Sequence, residues 1–242
     1  MILSQVLAWF ADAAHWRGPD GVPTRIAEHL YYTAITVLIA SVIAVPLGLL
    51  VGHTARGGVA LVGLANAMRA LPTLGLLTFL FLLVRSQEVS TVVALVVLAV
   101  PPVLAGSYAG VQSIEAGIVD AARGMGMTSA QRLFQVELPG ALPLLLGGLR
   151  SAVLQVVATT TVAAYLGLGG LGRLLLDGLR SGPAGYPQMV AGALLTAGLA
   201  VALDPLLAGV QRLAVPTGVR LSAVSAQSGG ARLRIAMEDE DR

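Results

Sequence analysis

Lysine is missing from this chain: all 15 basic residues are arginine. That excludes a Walker-type phosphate loop, a Schiff-base lysine and a serine–lysine dyad. Cysteine is missing as well, which removes disulfides, thiolate nucleophiles and cysteine-ligated metals. Charge is scarce, at 12% of 242 residues, while 56% are hydrophobic and the mean hydropathy is +0.81. A soluble domain needs more polar surface than this, so the chain reads as a membrane protein. Its formal net charge is only +2 and its aromatic content 5%. No basic stripe with interleaved aromatics is present, so nucleic acid is not an expected partner.

The first residues do not read as a cleaved signal peptide. Met1 to Trp16 has no basic n-region, and Gln5, Asp12 and His15 interrupt its apolar run. Ile2, Val6, Leu7, Phe10 and Ala14 share one helical face, with Trp9 and Trp16 beside it. Residues 1–27 are therefore expected to lie at the membrane interface as an amphipathic segment.

A bilayer core of about 30 Å needs about 20 apolar residues per helix. The first span is expected at Leu30 to Val51. The next apolar stretch, Gly57 to Val84, holds Asn66, Arg69 and Pro72. At 1.5 Å per residue it would reach ~42 Å if straight. Splitting it at Arg69–Pro72 leaves pieces too short to cross, so one long helix, tilted or kinked at the proline, is expected. A third span runs from Val89 to Val111, bent at Pro101-Pro102. Gln112 to Pro139 mixes polar and apolar residues and cannot lie in lipid. The fourth span is Ala141 to Leu166, followed by a glycine-rich segment, Gly167 to Pro187, and a fifth span, Met189 to Leu213. The sequence thus predicts an all-α, polytopic membrane fold of about five main spans over residues 28–213. Residues 214–242 are expected to form a polar, solvated and disordered tail ending in Glu-Asp-Glu-Asp-Arg.

Five spans put the termini on opposite sides. With residues 112–139 and the C-terminus in the cytoplasm, Arg56, Arg123, Arg132, Arg212, Arg220, Arg232, Arg234 and Arg242 lie inside. Arg17, Arg25, Arg85, Arg173 and Arg180 lie outside, an imbalance in the direction of the positive-inside rule.

The segment from Val119 to Pro139 stands apart. Gly124 and Gly126 can end one short helix, and Thr128 with Gln131 forms a capping box that opens another. Pro139 is expected to stop that second helix before the fourth span. Leu133, Phe134 and Val136 then lie close together on it. A compact, partly apolar helix at the membrane surface suits docking into a partner's groove.

Asp120-Ala121-Ala122, then Gly126, Val136 and Leu138-Pro139, match the spacing E-A-A, three residues, G, nine residues, I, one residue, L-P. That pattern marks permease subunits of ABC importers, which this chain resembles, with Asp for Glu at 120 and Val for Ile at 136. Within that superfamily, Glu28-His29-Leu30-Tyr31, Arg69-Ala70-Leu71-Pro72-Thr73-Leu74 and Thr161 to Gly172 resemble the glycine betaine/carnitine/choline (osmoprotectant) permeases. The resemblance covers roughly Glu28 to Leu213. It implies a type-1 importer permease fold in the cell membrane, with residues 112–139 as the coupling loop received by a separate ATPase. It further implies a second permease chain, identical or paralogous, an extracytoplasmic binding protein, and a solute such as glycine betaine, choline, carnitine or proline betaine. ATP and magnesium would then be bound by the ATPase and no cofactor by this chain, which the missing lysine fits.

Other residues allow competing readings. Gly167-Leu168-Gly169-Gly170-Leu171-Gly172 fits G-x-G-x-x-G, but a dinucleotide fingerprint needs a strand before it and a βαβ unit around it. Close packing near an outer gate fits better. Arg69, Arg150 and Asp204 are charges inside spans and need partners or water. Arg150 and Asp204 lie at similar depth from the cytoplasm, so an ion pair between them is expected; Arg69 takes a structural partner or faces the pathway. Tyr31, Tyr32, Tyr108 and Tyr165 fit an interfacial belt as well as a cation cage. Thr159, Thr160 and Thr161 either line a polar path or bond to preceding carbonyls. No catalytic or metal-ligating residue is assigned. An intramembrane protease would need paired catalytic groups at depth, and His15, His29 and His53 sit at or beyond span ends. A stand-alone secondary transporter would leave the 120–139 loop without a role and usually carries internal repeats. A methionine or phosphonate importer would share the loop, and only the osmoprotectant-like stretches argue against it.

Overall fold

The computed structural model describes residues 2–216 and 218, and every element among them is helical. Of the expected tail, residue 217 and residues 219–242 lie outside the described residues.

Helix α1 (Ile2–Ala11) leads into a 3₁₀ turn at Ala13–Trp16, opened by Asp12 accepting from the Ala14 amide at 2.9 Å. Its buried face is Val6 and Trp9, one turn apart, while Ile2, Leu3 and Leu7 point outward. This corrects the expected Ile2–Ala14 stripe, since Ala14 has already left the helix. Trp9 stacks on His15 at 4.2 Å and packs with Val22, Leu171, Leu174 and Ala191. The N-terminal segment is therefore tied to the glycine-rich loop, α9 and the last span by apolar burial.

Helix α2 (Val22–Thr54) begins with a proline in its first turn, where a missing N–H costs nothing. The expected boundary between residues 27 and 28 thus falls inside α2. Helices α3 (Gly58–Arg69) and α4 (Thr73–Val84) meet at 89°. The single long helix expected over 57–84 is therefore wrong. Pro72 has no N–H to continue α3 and drives Leu71 away from helical geometry. The chain restarts when the Leu76 amide donates to Pro72 O at 2.9 Å. The result is either a broken span or a re-entrant pair.

Helix α5 (Gln87–Gln112) is followed by α6 (Ala116–Gly124), α7 (Ser129–Arg132), a π-turn at Leu133–Glu137 and α8 (Leu138–Ala163). Helices α9 (Gly172–Arg180) and α10 (Tyr186–Ala214) complete the described chain. Among the described residues, four helical stretches are long and apolar enough to cross a membrane, or five if α3–α4 counts as one.

Helix α5 is the centre, packed between α2 and α8 along its length. Small residues allow that approach on both sides. A Cβ on Gly48 would stand 2.6 Å from Ser107 Cβ, and one on Gly52 2.8 Å from Val111 Cβ. Toward α8, a Cβ on Gly106 would reach Leu144 O at 2.7 Å, and one on Gly148 would reach Pro102 O at 2.6 Å. Lipid offers no hydrophobic drive between helices, so close backbone packing takes its place. The prolines are accommodated in the same spirit. Pro102 cannot donate to Leu98 O, and Gln155 Nε2 of α8 donates to that carbonyl instead at 3.0 Å.

Candidate functional site

The turn between α5 and α8 is built from backbone constraints upward. Helix α6 ends as the amides of Met125, Gly126 and Met127 bond back to Ala121, Arg123 and Ala122, with Gly126 in the left-handed region at φ +79°. Nothing lies within 4 Å of a Cβ placed there, so glycine is needed for conformation and not for space. The capping box is present: Thr128 Oγ1 accepts from the Gln131 amide at 3.3 Å, and Gln131 Oε1 accepts from the Thr128 amide at 2.8 Å.

Pro139 does not stop the second helix. From Ser129 to Leu166 the chain is one continuous helix of 38 residues. Pro139 has no amide for the carbonyl four residues back, and the π-turn just before it absorbs the defect, with the Leu138 amide donating to Leu133 O. The short helix of the turn is thus the first stretch of the fourth span.

Of the residues singled out by sequence, Asp120 is exposed and pairs with exposed Arg123 at 3.3 Å, a contact worth little. Ala121 is exposed and Ala122 buried. Leu133 packs on Leu49, Val111, Ala141 and Leu145 together with Leu138. Val136 and Pro139 are half-buried, whereas Phe134 is 62% exposed. Leu133 therefore turns inward as an anchor, while Phe134, the next residue round the helix, turns outward. Ile118 and Met125, 50% and 76% exposed, join Phe134 as apolar groups open to a partner.

Sequence reasoning missed the polar cluster beneath this turn. His53, in the last turn of α2, donates from Nδ1 to Glu137 Oε2 at 2.5 Å, and its Nε2 meets Ser129 Oγ at 2.6 Å. Arg132 Nε donates to Glu137 Oε1 at 3.0 Å. A cleft of about 260 Å³ beside the cluster is lined by residues that include Gln112, Asp120 and Arg123. The available signal was Glu137, the one carboxylate between Leu133 and Pro139.

The intramembrane charges separate. Arg150 and Asp204 form a two-point pair, Nε to Oδ1 at 2.6 Å and Nη2 to Oδ2 at 2.5 Å. A second tie between the same helices runs from Gln211 Nε2 to Pro143 O at 2.9 Å. Arg69 is exposed at the end of α3, beside the bend, with no ion pair among the described residues.

At the opposite end, two of the sequence stretches meet. The Gly170 amide donates to Glu28 Oε2 at 2.7 Å, and the Leu171 amide donates to His29 Nδ1 at 3.3 Å. His29 Nε2 donates to Val157 O at 2.9 Å. The buried ring thus joins α2, α8 and the glycine loop, which carries no strand and no nucleotide geometry. Thr159 and Thr161 bond back to carbonyls of their own helix, while the buried Thr160 hydroxyl has no hydrogen-bond partner among the described residues.

A bundle of apolar helices that presents a capped, apolar-tipped turn on one face is the architecture of a transport permease subunit. Residues 44–214 match the family model of the binding-protein-dependent transport system inner membrane component. The chain belongs to that family and is a multi-pass protein of the cell membrane. It is 31% identical over 196 residues to the glycine betaine/carnitine/choline transport system permease protein OpuCB of Bacillus subtilis, covering 81% of this chain and 89% of that one. With the osmoprotectant import permease protein OsmW of Salmonella typhimurium, the identity is 36% over 198 residues, covering 80% and 91%. Among solved structures, the inward-facing MetNI methionine ABC transporter superposes with a TM-score of 0.68 at 24% identity, covering 81% of this chain and 96% of that one. The fold is that of the type-1 ABC importer permeases.

Proposed function

We propose that this chain is the membrane-spanning subunit of an ATP-driven importer of osmoprotectants, with glycine betaine, choline, carnitine or proline betaine as its solute. The reading rests above all on similarity to osmoprotectant permeases over 81% and 80% of this chain. In it, a separate ATPase that binds ATP and magnesium receives the turn from Asp120 to Pro139, with Ile118, Met125 and Phe134 as its apolar contacts. A second permease chain completes the pathway, and a binding protein outside the membrane delivers solute. Arg150 and Asp204 hold α8 against α10. Hydrolysis belongs to the partner, and this chain passes the resulting movement to the spans.

The test is ATP hydrolysis by this chain reconstituted in liposomes with its ATPase and binding protein, with and without glycine betaine. Stimulation by betaine that is lost when Gly126 is changed to a bulky residue supports both the coupling turn and the solute class. Stimulation by methionine alone would remove the solute class and keep the importer. Uptake that persists without the ATPase would overturn the importer.

A further inference from the structure

We propose that His53 and Glu137 form the joint that holds the cytoplasmic turn in register with α2, a positioning role that rests on the coupling reading above. Glu137 is 3% exposed, and a buried carboxylate is costly unless both oxygens are satisfied. Here each oxygen has its own donor, His53 on one and Arg132 on the other. Ser129 takes the remaining nitrogen of the His53 ring. Ser129 and Glu137 thus meet the His53 ring directly, and Arg132, bonded to Glu137, brings Nη2 to 3.4 Å from its Nε2.

The π-turn makes this convergence possible. In a regular α-helix, residues five apart point about 140° away from each other. A turn closed by bonds between residues five apart brings them to nearly the same side. Arg132 and Glu137 are five apart and straddle such a turn, which lies just before Pro139. Gly52, next to His53, and Gly48, one turn before it, press α2 onto α5. A displacement of the turn is therefore carried through His53 into the α2–α5 pair. Apolar side chains could fill the same space, but they would not fix the direction of contact in this way.

The experiment uses the complex of this chain with its ATPase and binding protein in liposomes, and reads glycine betaine taken up per ATP hydrolysed. His53→Leu and Glu137→Gln are expected to lower that ratio about fivefold with the bound ATPase retained. His53→Gln, which keeps two hydrogen-bonding ends, is expected to recover most of it. A ratio unchanged in both losing variants overturns the joint. A second readout needs neither ATP nor solute. Cysteines introduced by Val59→Cys and Ile118→Cys are the only ones in the chain, and spin labels on them report the spacing of the turn and the start of α3. The distance distribution is expected to broaden in His53→Leu and stay narrow in His53→Gln. Equal widths overturn the joint whatever the solute proves to be, whereas broadening without betaine-dependent uptake counts against the importer reading alone.

Discussion

Arg150 and Asp204, 54 residues apart in sequence, face each other across α8 and α10 with both carboxylate oxygens bonded to one guanidinium. Removing either partner leaves a lone charge on an apolar span. Arg150→Ala and Asp204→Ala should each reduce betaine uptake about tenfold, and the exchange Arg150→Asp with Asp204→Arg should restore much of it. Uptake assays on membranes with matched protein levels decide. An exchange as inactive as the singles would count against pairing as the reason these charges are kept.

Gly148 offers a purely steric test. A leucine there has no room, since even a Cβ would sit 2.6 Å from Pro102 O, which is backbone and cannot yield. Gly148→Leu should destabilise the bundle by about 1–3 kcal/mol, the usual cost of overpacking. The melting temperature of the detergent-purified complex should fall, while Gly198→Leu, placed where nothing lies within 4 Å, should leave it nearly unchanged.

At the end of the bundle opposite the 120–139 turn, a Cβ on Gly169 would collide with the carboxylate of Glu28. That carboxylate cannot simply swing away, because the Gly170 amide and Arg25 Nη1 both hold it. Gly169→Ala should therefore cost more stability in the native background than in a Glu28→Ala background. Thermal unfolding of the four proteins in the cycle gives the coupling, and additive losses would mean the two residues act separately.

Gly126 should respond to conformation and not to size. Alanine in its left-handed geometry costs roughly 1–2 kcal/mol. Gly126→Ala and Gly126→Val should both weaken betaine stimulation of hydrolysis, while Gly117→Ala, also in open space but within α6, should not. Equal behaviour at 117 and 126 would deny the turn its special shape.

How much of this was legible in the residues follows a physical line. Hydrophobic length gave the long spans, and side-chain chemistry gave the capping box at Thr128 and the meeting of Arg150 with Asp204. What the sequence did not disclose depends on how a proline defect is absorbed. Pro102 is tolerated within a helix because Gln155 reaches its orphaned carbonyl; Pro72 breaks the chain through a right angle, and Pro139 is taken up by a π-turn. Those outcomes are set by neighbours distant in sequence. His53 was hidden for the same reason, since its partners lie 76 and 84 residues away.

The unbroken helix from Ser129 to Leu166 also fixes a mechanical scale. Thirty-eight residues at 1.5 Å each give a rod of about 57 Å, nearly twice the hydrocarbon thickness of a bilayer. A tilt of only about 5° about one end carries the other end sideways by about 5 Å, roughly the width of a small solute. A lever of that length needs no bending within the membrane to turn a small push at the cytoplasmic surface into an opening near the far side.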